Sequence, residues 1–267
     1  SHFDAEDYME TGTPGVKSTQ DGWLNRYLQD GTQNGNPFRA VAMGTKLARI
    51  LAGSVPALTL RDIRSFRLRN KDLTRVLSRL YGNSKDPLFR LHGENLFRSM
   101  AILEEVGARI PASHEAYPRG RFGKSMGEIA RLVKSGVGVE IAFTEFGGWD
   151  THANQGGSSG RMARNLQKLA EGIGAFYRDM GNRMEDIVLL TLSEFGRTVK
   201  ENGNRGTDHG HANMMFVLGG KSQGGKVYGR WPGLEPELLD EGRDLELTTD
   251  YRHVCADVLH HHQGVRS

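Results

Sequence analysis

One cysteine, Cys255, stands in a chain of 267 residues, so an intrachain disulfide is excluded. It falls within a helical pattern of Tyr251, Val254, Val258 and Leu259, which predicts a buried, inert thiol rather than a nucleophile. No apolar run approaches the roughly 18 residues of a membrane span, which excludes a helical transmembrane segment. Charge of one sign is also lacking: the formal net charge is +3 and Lys and Arg are scattered. A nucleic-acid footprint is therefore not indicated. The densest basic stretch, Arg61, Arg64, Arg67 and Arg69, reads as a solvated face. No G-x-S-x-G elbow, P-loop or GxGxxG follows an apolar strand, which argues against a serine-elbow hydrolase and the common nucleotide folds. Internal repeats and low-complexity segments are absent.

With 37% hydrophobic and 25% charged residues, the composition is that of a globular chain able to bury one substantial core. Residues 1–36 are polar and Gly-rich, and predict a long ordered loop with a helical turn or two around Trp23 and Tyr27. From 38 to 134 the spacing predicts helices over Phe38–Leu51, Asp72–Tyr81, Leu88–Val106 and Phe122–Val133, punctuated by Pro56, Pro87, Pro111 and Pro118. After Gly136 the period changes. Val137, Val139, Ile141 and Phe143 alternate as a buried strand, and Met162 to Met180 traces one helical face. Ile187–Leu192 and Met214–Leu218 are further strands, and Thr249–His262 a final helix capped by Thr248 or Thr249. Strand, helix and strand at this spacing predict a parallel βαβ crossover over about 136–220. The expected fold is one α/β domain over 1–267, a mainly parallel sheet with flanking helices and a helical insert at about 38–134.

Three polar clusters flank the apolar strands: Gly147-Gly148-Trp149-Asp150-Thr151-His152-Ala153-Asn154-Gln155, Ser193-Glu194-Phe195-Gly196-Arg197-Thr198 and Asp208-His209-Gly210-His211. Carboxylate oxygen and imidazole nitrogen are ligands for hard or borderline ions, and glycine lets the backbone approach closely. Each cluster also has a plainer reading. Asp150 and His152 also read as a turn aspartate with a surface histidine, although the paired Gly147-Gly148 and Asn154-Gln155 add nothing to a simple turn. Glu194 and Arg197 read equally as a helix-start carboxylate in a structural ion pair, with Ser193 as N-cap. Two imidazoles within Asp208-His209-Gly210-His211 favour a functional loop. His260-His261-His262 reads as a solvated helix end.

Ser1-His2-Phe3-Asp4-Ala5 with Tyr8-Met9-Glu10, Gly22-Trp23-Leu24-Asn25-Arg26, Gly148-Trp149-Asp150-Thr151-His152, Ser193-Glu194-Phe195-Gly196-Arg197-Thr198 and Asp208-His209-Gly210 resemble the bacterial domain of unknown function 1501 family, along essentially the whole chain. That family is similar to the alkaline-phosphatase-like superfamily of phosphatases and sulfatases. The resemblance implies an alkaline-phosphatase-like fold, incomplete at the N-terminus, and an exported or periplasmic protein, because members typically carry a twin-arginine signal. It also implies a missing first strand and its metal-binding Asp, so a chain that starts at Ser1 is expected to be a fragment, inactive by itself toward phosphate and sulfate esters. Carried over residue by residue, Asp150 and His152 match the superfamily's Asp/His loop at shorter spacing, Glu194 stands at its Asp-His pair with Phe195 in place of the His, and His209 matches its last His. Ser1 falls near the nucleophile.

The expectation is a metal-dependent hydrolase of phosphate or sulfate esters, acting on an anionic small-molecule or polysaccharide ester. Asp150, His152, Glu194, Asp208, His209 and His211 are the ligand set, Arg197 binds the substrate's anionic oxygens, and Ser1 is the candidate nucleophile. Mixed nitrogen and oxygen donors favour zinc, ahead of manganese, calcium or magnesium. The alternative is a non-catalytic periplasmic binding or assembly protein on a degenerate hydrolase fold, which Phe195 favours.

Overall fold

The computed structural model describes residues 1–30, 36–68, 70–107, 115–220 and 222–264. Pro111 and Arg69, singled out above, lie outside them. In chain order the elements are α1 (His2–Thr11), α2 (Trp23–Asp30), β1 (Ala40–Met43), β2 (Leu58–Leu60), α3 (Lys71–Gly82), α4 (Pro87–Gly107), α5 (Arg121–Ser135), β3 (Ile141–Thr144), α6 (Arg161–Met180), β4 (Val188–Leu190), β5 (Val217–Gly219) and α7 (Tyr251–Gln263), with short 3₁₀ turns between. The fold is mixed α/β, with a small parallel sheet and several helices. Among the described residues no helix is long and apolar enough to cross a membrane.

The contacts divide the chain into two compact units, residues 16–146 with 171–179, and residues 1–15 with 147–170 and 180–267. In the first, β1 is the centre of a three-stranded parallel sheet of order β2-β1-β3. Val41 faces Leu58 on one side and Ala142 on the other. All four residues of β1 are buried. This corrects the helix expected over Phe38–Leu51. A central parallel strand is apolar on both faces, so its short continuous run carries no period that separates it from a buried helix. Fully buried Asn25 shows how a polar side chain is accommodated here: its amide donates to Leu51 O (2.9 Å) and Val55 O (2.8 Å), and its Oδ1 accepts from Val55 N. Arg39, beside β1, makes a two-pronged pair with Glu140 at 2.6 and 2.9 Å, leading into β3.

In the second unit β4 and β5 pair antiparallel, with Leu189 facing Leu218. The expected parallel βαβ crossover is therefore overturned: the strands near 137 and 187 belong to different sheets. The handedness rule governs a crossover only once two strands share a sheet, and the choice of partner is non-local. The stretch expected to be mainly loop at the N-terminus forms α1 as well as α2. Ser1 caps α1, its hydroxyl accepting from Asp4 N, and Gly12 closes the helix in the left-handed conformation at φ 68°. Tyr251 Oη donates to Tyr8 O at 3.0 Å, tying α7 to α1. Cys255 is buried, and burial pushes its thiol up to about 11.

The cap of α7 is Asp250, not Thr248 or Thr249; its carboxylate accepts from Arg252 N at 2.9 Å. A side-chain hydrogen bond from Arg252, working against burial, holds the Asp250 carboxyl at about 2. A depressed folded-state value stabilises above the ordinary carboxylate range and the effect is lost as pH falls toward 2. Asp250→Ala is expected to cost about 1 kcal/mol of stability near neutral pH, whereas Asp250→Asn keeps most of the cap and loses the acid sensitivity between roughly pH 4 and 2. Urea midpoints across pH 2–7 check both.

Candidate functional site

All three polar clusters fall in the second unit. Beyond β4, Thr191 N donates to Phe216 O, and the chain past Ser193 runs against residues 208–212. Gly196 N donates to His211 O (2.7 Å), Gly210 N to Gly196 O (2.9 Å) and Thr198 N to Asp208 O (3.0 Å), with Arg197 and His209 bridged antiparallel. The two backbones meet so closely that a Cβ on Gly196 would lie 1.9 Å from Ala212 O, and one on Gly210 2.4 Å from the Arg197 carbonyl carbon. Glycine at both positions is a packing requirement. No helix starts at Ser193, whose hydroxyl donates to Phe195 O, so the N-cap reading of that cluster falls away.

A second seam holds the Asp150 loop. Thr207 N donates to Thr151 O (3.1 Å), Asn154 N to Asn204 O (3.0 Å) and Gln155 N to Arg205 O (2.9 Å). Gln155 Oε1 accepts from the hydroxyls of Thr151 (2.6 Å) and Thr207 (2.7 Å). Asn202 donates to His152 O at 3.0 Å and to Asp208 Oδ1 at 2.9 Å, while its own oxygen accepts from Asn204 N and Gly206 N.

These seams bring Asp150, His152 and His209 together. Asp150 Oδ1 lies 2.8 Å from His152 Nε2 and 3.1 Å from His209 Nε2, and the two ring nitrogens are 3.0 Å apart. His2, at the start of α1, is the neighbour that sequence reading missed. Its Nε2 lies 3.3 Å from Asp150 Oδ2, and His2, Asp150 and His209 each place a ligand-type atom within 4.8 Å of the others. Two carboxylates stand behind the imidazoles: Glu194 Oε1 is 2.9 Å from His2 Nδ1, and Asp208 Oδ1 is 2.7 Å from His152 Nδ1. Phe195 packs its ring on His2 and His209, at centroid distances of 4.8 and 4.5 Å.

Arg197 donates to Asp150 Oδ1 (2.6 Å), to Thr207 Oγ1 (3.2 Å) and to Thr207 O, which leaves two of its five N–H groups outside these bonds. Burial alone raises the Asp150 carboxyl, but hydrogen bonds from Arg197, His209 and His2 prevail and hold it at about 2. The bond to Glu194 raises the His2 value against the opposing effect of burial. The Asp208 value is lowered, first by His152 and then by Asn202. His211 turns to Asp240 at 2.9 Å, and the Ser1 hydroxyl donates to Asp4 at 2.9 Å within α1.

Ligands about 2.0–2.2 Å from a tetrahedral ion stand roughly 3.4 Å apart. The 2.8–3.3 Å separations around Asp150 are of that order, so the imidazoles and carboxylate present could hold a divalent ion.

The sequence model of a protein family of unknown function, DUF1501, matches residues 4–265. The chain belongs to that family. Neither the curated proteins nor the solved structures offer a match. In this DUF1501 member the paired glycines generate a direct expectation. Gly196→Ala and Gly210→Ala should each cost about 1–3 kcal/mol, the range of overpacking. Gly203→Ala, where a Cβ meets nothing within 4 Å, should stay within about 0.5 kcal/mol of the parent. Denaturant unfolding of the three variants measures the difference.

Proposed function

We propose that this protein is an exported, metal-dependent hydrolase of phosphate or sulfate esters, on a fold related to the alkaline-phosphatase-like superfamily. The observation that carries the reading is the triangle of Asp150 Oδ1, His152 Nε2 and His209 Nε2, with sides of 2.8, 3.0 and 3.1 Å. Export and the superfamily rest on the resemblance of its motifs to that family.

Asp150, His152 and His209 would hold the ion, and the nitrogen-rich donor set favours zinc over manganese, calcium or magnesium. When bound, such an ion polarises the ester oxygen and lowers the pKa of a bound water toward 7. Arg197 fixes Asp150 through its 2.6 Å bond and has two N–H groups left for the anionic oxygens of the ester. Phosphate and sulfate esters present several such oxygens around one centre, which suits a guanidinium beside a cation. The hydroxyl of Ser1 is the nucleophile candidate from the resemblance; its bonds to Asp4 support a capping role instead.

Phe195 favours a second reading, a non-catalytic exported protein that binds a polysaccharide or a partner, because its ring supplies no ligand atom beside Glu194. The two readings separate on turnover. In the full-length protein the hydrolase reading expects bound zinc by elemental analysis, hydrolysis of an aryl phosphate or aryl sulfate, and loss of both in His152→Ala. Metal content unchanged by His152→Ala removes the triangle as the ion site. A metal-loaded protein that turns over neither ester leaves the binding reading.

A further inference from the structure

Resting on the ion site just proposed, we infer that His2 is a further ligand of the same ion, so that helix α1 closes the site from the chain's N-terminal side. Glu194 and Asp208 are then outer partners that orient ligands. The carboxylates decide how the rings are used. Glu194 sits 2.9 Å from His2 Nδ1, and Asp208 sits 2.7 Å from His152 Nδ1. A carboxylate accepts only, so each Nδ1 carries the proton and donates it. In the neutral imidazole that leaves the lone pair on Nε2. Both Nε2 atoms face Asp150, His2 at 3.3 Å from Oδ2 and His152 at 2.8 Å from Oδ1.

The Nε2 lone pair of a neutral ring meets that anion only across a positive charge, whereas a doubly protonated ring donates to it directly. A divalent ion supplies that charge for all the groups at once. A histidine whose Nδ1 binds a carboxylate and whose Nε2 binds the ion is the usual arrangement behind a metal ligand.

Phe195 fits the same arrangement. Its ring contacts His2 at 4.8 Å and His209 at 4.5 Å, and the His2 and His209 rings meet edge-on at 4.3 Å. It offers no ligand atom, but it is a flat surface that fixes the planes of two imidazoles. His2 is also held from behind: Ser1 caps α1, and Tyr251 ties the helix to α7. Metal loading is therefore coupled to the docking of α1.

The test compares zinc affinity by chelator competition, and the visible spectrum of the cobalt(II)-loaded protein, across the full-length parent chain, His2→Ala, Glu194→Gln, His152→Ala and Ser1→Ala. His2→Ala is expected to weaken zinc binding by about 100-fold or more and to shift the cobalt spectrum. Glu194→Gln should weaken it by roughly 10–100-fold while keeping the spectrum close to that of the parent, as an outer partner does. Ser1→Ala, which removes the cap behind His2 but no proposed ligand atom, should weaken zinc binding far less than His2→Ala and keep the cobalt spectrum close to that of the parent. Melting in excess chelator, equal for parent and His2→Ala, shows that the variant folds. If His152→Ala loses zinc while His2→Ala keeps the parent's affinity and spectrum, His2 is not a ligand and the ion site of the proposed function stands. A parent that binds neither ion overturns both.

Discussion

The Asp150 carboxylate is the anion on which this site depends. It accepts from Arg197 and faces the ring nitrogens of His152, His209 and His2 within 3.3 Å. With Glu194 behind His2 and Asp208 behind His152, the cluster holds three carboxylates and one guanidinium, which leaves two negative charges when the imidazoles are neutral. Burial alone would raise the cost of ionising Asp150. The hydrogen bonds to Asp150 show how that cost is met: they overcome burial and keep the group ionised well below the usual carboxylate range. The divalent cation proposed above would balance the remaining charge.

Holding that geometry is the work of residues with no ligand role. Asn202 uses both ends of its amide, donating to His152 O and Asp208 and accepting from two backbone N–H groups. Gln155 gathers two threonine hydroxyls with one oxygen. Thr151, between Asp150 and His152, is fully buried, so the loop that carries both is anchored at its middle. The glycines act by what they lack. Without a Cβ at 196 and 210, two irregular segments approach as closely as paired strands and share three backbone hydrogen bonds. Rigid support of this kind holds side-chain directions in a cluster built from loops.

Much of this was legible in the sequence. Helices α3, α4, α5 and α6 fall where the three-to-four spacing puts them, because each carries an amphipathic period over ten residues or more. Buried Cys255 agrees with its place on the apolar side of α7. Asp150, His152 and His209 stood out because polar ligand types among glycines next to apolar strands have few structural uses. What failed was non-local. The four-residue β1 is too short to show a period, and its pairing with β3, about a hundred residues away, leaves no local mark. His2 was invisible for the same reason. A single histidine at the start of a polar helix has no pattern, and only the fold brings it to Glu194 and Asp150. Asn202 resembles any turn asparagine until its partners are known.

The parallel crossover expected over about 136–220 does not account for how these clusters meet. The parallel sheet belongs to the other unit, and the strand ahead of Glu194 pairs antiparallel with Val217–Gly219. An antiparallel partner reverses direction, so the chain entering β5 comes from the same end at which β4 exits. Residues just before β5 and just after β4 are therefore neighbours. This is why Asp208 and His209, which precede the final strand, lie against Thr198 and Arg197, which follow the earlier one. The cluster needs no parallel crossover. It needs one reversal of direction, two glycines that let the reversed segments touch, and an aspartate loop stitched across them.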